Sequence, residues 1–114
     1  MTPSLIYVKR LRLTPNIVKT LQYIKTKMSK RLLEGIIDYY EGEEILTADG
    51  FDEAVIGIDE GSGRIIYSVG KCIEILMVEH EMNLGDSIEF FDFNVKGAYM
   101  GEKTPIWCED MLLQ

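Results

Sequence analysis

The stretch Leu84-Gly85-Asp86-Ser87-Ile88-Glu89-Phe90-Phe91-Asp92-Phe93-Asn94-Val95-Lys96-Gly97-Ala98-Tyr99 decides how this chain must fold. Leu84, Ile88, Phe91, Val95 and Ala98 recur at steps of three and four, which puts them on one face of a helix with Glu89, Asp92 and Lys96 opposite. Asn83 stands just before the run and Asp86 follows three residues on, a capping-box-like start, and Gly101 is a stop. A helix with one greasy side needs a layer to lie on. Upstream, Ala54–Asp59 (AVIGID) and Arg64–Val69 (RIIYSV) flank Glu60-Gly61-Ser62-Gly63, whose glycines allow positive φ in a tight connection. This pattern predicts a β-hairpin. Glu44–Ala48 is a further short strand candidate. Thr104–Glu109 is a last one, with Pro105 near its start, where a missing N–H is tolerated.

Two more helices and one more strand follow from spacing. Val69, Cys72, Ile73, Leu76, Met77 and His80 form a stripe across Gly70–Glu81. Thr14-Pro15 opens an earlier helix with a hydroxyl cap and a proline at its first position. Ile17, Leu21, Ile24, Met28, Leu32, Ile36 and Tyr40 then recur along it. The helix either runs unbroken to Glu41 or is re-capped at Ser29, and Gly42 ends it. Ser4–Leu13 alternates enough to suit a strand. The order (β)α–β–β–β–α–α–β predicts an α+β fold: a small antiparallel sheet of three or four strands with helices packed on one face.

At 114 residues the chain reads as a single domain. Apolar residues make up 46% and charged residues 27%, ordinary proportions for a packed protein, so disorder is not expected. No apolar run approaches the roughly 18 residues that span a bilayer, so no membrane is expected among its partners. Met1-Thr2-Pro3-Ser4 lacks the order of a secretory signal. Cys72 and Cys108 are too few and too far apart for a disulfide framework or a zinc site, and read as free thiols of a cytoplasmic protein.

Charge is distributed unevenly. Residues 1–27 hold six basic residues and no acid, while residues 28–114 hold the other six basic residues and all 19 acids, a net of −13. Such a body repels nucleic acid and attracts cations or a basic protein surface. Residues 1–27 read as an N-terminal extension ahead of an acidic core domain, residues 28–114, with Met28 an alternative start. An arm that docks on its own acidic domain is the next reading.

Candidate sites are few. Asp49-Gly50-Phe51-Asp52-Glu53 sets three carboxylates beside a glycine, oxygens that can hold a hard cation, but EF-hand spacing is absent and a turn with solvated acids is the simpler reading. His80, the only histidine, ends an apolar stripe and reads as a hydrogen-bonded or helix-end residue rather than a ligand. Cys72 lies on that stripe, so burial favours an inert thiol. Asn94 sits where helix propensity is poor, Gly97 admits a neighbouring backbone, and with Tyr99, Glu102 and Lys103 they make a polar cluster. Phe90, Phe93 and Trp107 belong to an aromatic-rich third of the chain. Core packing is its commoner use, and a partner or dimer interface is the alternative. No cofactor is implied.

Three ordered blocks carry a resemblance: Asp49–Gly57 (DGFDEAVIG), Tyr67–Met77 (YSVGKCIEILM) and Ile88–Pro105 (IEFFDFNVKGAYMGEKTP). The pattern resembles that of small hypothetical proteins encoded by tailed bacteriophages, marine ones included, and by some bacteria. It spans roughly residues 45–107, departs at Met100, where the family often has a small aliphatic residue, and leaves residues 1–27 unmatched. The resemblance implies a viral or metagenomic source and residence in the infected host's cytoplasm. It implies no activity, and draws attention to Asp49, Asp52, Lys71, Asn94, Gly97 and Tyr99. Asp49, Asp52, Lys71, Asn94, Tyr99 and Lys103 form the candidate polar site.

Three functions are expected from this. The first is a non-enzymatic accessory protein that binds a protein partner. The second is a small ligand- or metal-binding domain or enzyme that uses the Asp49/Asp52 region with Asn94 and Lys103. The third is a homo-oligomer built through the aromatic helix.

Overall fold

The computed structural model describes residues 15–111, so the strand expected over Ser4–Leu13 lies outside the described residues. Helix α1 runs from Pro15 to Tyr39 as one element. Proline begins it, Ser29 does not interrupt it, and Gly42 adopts φ +88° just beyond its end. Glu44–Ala48, expected as a strand, is irregular instead. The Ala48 N–H donates to the Tyr67 hydroxyl at 2.7 Å, and a donor held by a side chain is lost to a ladder.

The hairpin forms as read. Strand β1 (Val55–Asp59) pairs antiparallel with β2 (Arg64–Ser68), with a bulge between Val55 and Gly57. Asp59 organises the turn: its carboxylate accepts from the Ser62 N–H at 3.2 Å, its carbonyl accepts from the Gly63 N–H at 2.7 Å, and Gly63 takes φ +69°. Strand β3 (Ile106–Cys108) pairs with β2 in parallel, so the sheet order is β1-β2-β3 and the sheet is mixed rather than wholly antiparallel. The reason lies in the connection. The four-residue turn Glu60–Gly63 reverses the chain between β1 and β2, whereas the segment between β2 and β3 holds two helices and carries the chain back to the same end.

Helix α2 (Val69–Glu79) starts directly after β2, with Ser68 as cap: its hydroxyl accepts from the Lys71 N–H. It buries Val69, Cys72, Ile73, Ile75 and Leu76, leaves Met77 partly outside, and ends at an exposed His80. Helix α3 (Leu84–Phe90) begins at Asn83, whose side chain accepts from the Asp86 N–H at 2.8 Å, as the capping pattern requires. The coil then widens into a π-helical segment, Phe91–Lys96. A Cβ on Gly97 would lie 3.1 Å from both the Asp92 and the Phe93 carbonyl oxygens, so the backbone that Gly97 admits is that of its own helix rather than of a neighbouring strand.

Pairing places Val55, Ile58, Ile65, Tyr67 and Trp107 on one sheet face. The core gathers there: Leu33 and Ile36 from α1, the buried side of α2, and Phe91. The architecture is α+β, with three main helices and a three-stranded sheet among the described residues.

Candidate functional site

The first turn of α2 is built from residues forty apart in the chain. Ser68 Oγ donates to one Asp110 carboxylate oxygen at 2.6 Å, and the Gly70 N–H donates to the other at 2.8 Å. Asp110 therefore sets a negative charge on the free N–H groups of a helix start, where the helix dipole favours an anion. Partial burial pushes its pKa up, but the bonds from Ser68 and Gly70 outweigh that, and the net shift is downward. A Cβ on Gly70 would come within 3.2 Å of Asp110 Oδ1, so glycine is what lets the C-terminal segment pass this close.

This junction forms one wall of the largest cleft described, about 640 Å³. Met28 and Leu32 of α1, Val55 and Ile56 of β1, and Met111 line it as well. The lining is mainly apolar but includes the charged side chains of Glu53, Lys71, Glu74 and Asp110; Lys71 lies 3.5 Å from Glu74, and Glu53 lies 3.6 Å from Lys30. A second groove of about 420 Å³ runs along the other side of Leu32, lined by Arg31, Gly35, Tyr39 and Ile58. Leu32 is the ridge between them.

That ridge belongs to a longer apolar strip. Ile24, Met28, Leu32 and Tyr39 are 44%, 63%, 39% and 80% exposed, whereas Leu33 and Ile36 are buried. The stripe expected to bury as one therefore divides. A step of four residues overshoots a full turn by roughly 40°, so a row of such steps rotates away from the core it started on.

Two reactive-looking groups are silenced by burial. Burial, and secondarily the Asp110 charge, pushes the fully buried Cys72 thiol up to about 12. It stays a protonated, unreactive thiol at neutral pH. Burial likewise pushes the Tyr67 hydroxyl up to about 12.

The polar residues singled out from sequence disperse. Asp49 lies exposed in the turn closed by the Phe51 N–H bond to the Ala48 carbonyl, and Asp52 opens a short 3-10 turn. Asn94 bonds back to the Phe90 carbonyl at 3.2 Å, Tyr99 is 78% exposed, and Lys103 Nζ donates to the Ser62 carbonyl at 2.7 Å. Of the six, only Lys71 lines either of the two clefts. Among the described residues, no three His, Cys, Asp or Glu side chains are grouped as a metal site. The aromatic set divides too. Phe90 and Phe93 are exposed, whereas Trp107 is half-buried and packs against the core beside Tyr67 and Phe91, with ring centroids 5.2 and 5.3 Å away.

Sequence reasoning missed Asp110, because its partners come from β2 and α2 and no local spacing announces them. It had a usable signal for the outer strip: the last half of α1 carries Leu32, Leu33, Ile36, Ile37 and Tyr39, more apolar surface than one contact face can bury. Among the described residues, no helix is long and apolar enough to cross a membrane. The chain matches no family model, no curated protein and no solved structure.

Proposed function

We propose that this chain is a non-enzymatic binding protein whose working surface is the outer face of α1 with the two grooves beside it. The observation that carries the reading is the exposed strip Met28–Leu32–Tyr39, whose Met28 and Leu32 line the mainly apolar 640 Å³ cleft and whose Leu32 and Tyr39 line the groove beside it, with charged side chains among both linings. Exposed apolar surface of this kind, contiguous and set among charged side chains, is the usual composition of a protein-binding patch. Its acidic body favours a protein partner over nucleic acid. The resemblance to small phage proteins supplies a setting for the proposal, the cytoplasm of an infected cell, and rests on the three sequence blocks alone. A ligand site built from Asp49, Asp52, Asn94 and Lys103 draws no support from their placement.

A photo-crosslinking amino acid placed at Leu32 tests the reading, with one at Glu102, away from the grooves, as control. Protein adducts that form from Leu32 and not from Glu102 are the expected result. Adducts absent from both positions, or equal at both, overturn it.

A further inference from the structure

The charges along α1 are segregated in a way that its own fold does not use. From residue 15 to residue 31 α1 carries five basic residues and no acid, and from residue 32 to its end at Tyr39 two acids, Glu34 and Asp38, and no basic residue. At 3.6 residues per turn, Met28, Leu32, Gly35 and Tyr39 fall within an arc of roughly 60°, and Lys27, Arg31, Glu34 and Asp38 lie together along one flank of it. None of those four charges makes an ion pair with another described residue; the pairs that form are Lys30–Glu53 and Lys71–Glu74. Gly35 stands exposed in the middle of the strip, with nothing within 4 Å of where its Cβ would be.

Resting on the reading of this face as a docking surface, we propose that its occupant is a second copy of the same chain, packed α1 against α1 in antiparallel order. A two-fold axis beside Leu32 and Leu33 sets Arg31 opposite Glu34 of the second copy and Lys27 opposite its Asp38, each pair occurring twice. The same axis brings Leu32 and Met28 to within about 3 Å, measured along the helix, of the second copy's Gly35 and Tyr39, and the missing side chain of Gly35 leaves room for Leu32. An isologous two-fold contact requires such a self-complementary patch. A parallel pairing would set Lys27 and Arg31 against their own copies, so the charge order selects the antiparallel one. The net charge of −7 opposes association, and the apolar strip with its four cross-pairs is what overcomes it.

The test is sedimentation equilibrium of the full chain over a range of concentrations, with variants on the exposed flank and ridge whose helicity is checked by circular dichroism. The wild-type chain is expected to dimerise. Arg31→Glu and Glu34→Arg each raise the dissociation constant at least tenfold, the double swap restores most of the loss, and Leu32→Glu gives a monomer. Charge swaps at exposed positions leave the monomer folded, so they keep the proposal open to refutation if Leu32→Glu fails to fold. A wild-type monomer at every concentration overturns it, as does a dimer that neither swap weakens or that the double swap does not rescue. Monomers that still give foreign adducts from Leu32 leave the docking surface standing and remove only the second copy.

Discussion

Tyr67 ties three parts of the molecule together through one side chain. Its ring packs on Trp107, its backbone occupies the central strand, and its hydroxyl accepts the Ala48 N–H at 2.7 Å. Replacing it by phenylalanine keeps the ring and leaves that partly buried amide without its partner. The expected cost for Tyr67→Phe is about 1 kcal/mol, read as a lower urea midpoint at unchanged slope. Trp107, by contrast, carries a buried indole N–H with no partner among the described residues, so its packing beside two aromatic rings is what holds it. Nothing in the local sequence separates Trp107 from Phe93, yet one packs against the core and the other faces water.

At the scale of elements, α2 and the π-helical segment differ in how far their residues announce them. The stripe of α2 and the cap at Ser68 are local, and the helix was legible from spacing. The carboxylate that completes its first turn was not, because Asp110 meets Ser68 and Gly70 only once β3 has paired with β2. Asp110→Ala should lower stability by about 1 kcal/mol, the usual effect of losing a helix cap, with faster amide exchange at Gly70. The depressed carboxyl pKa fixes the sign with pH: its contribution is present above the unfolded-state value and lost as pH falls through the folded one. Gly70 protection measured by hydrogen exchange should therefore fall on acidification in the wild type and stay flat in Asp110→Ala. The widened coil after Phe90 had a sequence trace in Asn94 and Gly97, residues that broke the helix pattern without an obvious gain. Their roles are to bond the Phe90 carbonyl and to clear space for two others.

For the molecule as a whole, the buried acids of highest pKa set its response to base. Cys72 moves from an ordinary 9.0 to about 12, and Tyr67 from 10.0 to about 12, both chiefly through burial. A raised pKa means that the folded state holds its proton more tightly. The stabilisation is complete below the unfolded values and is lost as pH climbs from there to the folded ones. Global stability should thus be level up to about pH 8.5 and fall steeply between pH 9 and 12. In Cys72→Ala, weaker overall because of the cavity, the first part of that decline should flatten, which denaturant midpoints measured across the pH range would reveal. A slope that does not change would mean that Cys72 is not the group responsible.

Periodicity, caps and turn glycines determined the α+β class, the hairpin and the helix starts by themselves, because each depends on residues within one or two turns of one another. Which strand joins β2, and that it joins in parallel, depended on where a forty-residue excursion returned. Which side of α1 met the core was likewise a tertiary outcome: a helix with apolar residues on two sides has more than one way to pack, and only the sheet beneath it chose Leu33 and Ile36. That choice left Met28, Leu32 and Tyr39 outside, and the candidate surface is made of what the core did not take.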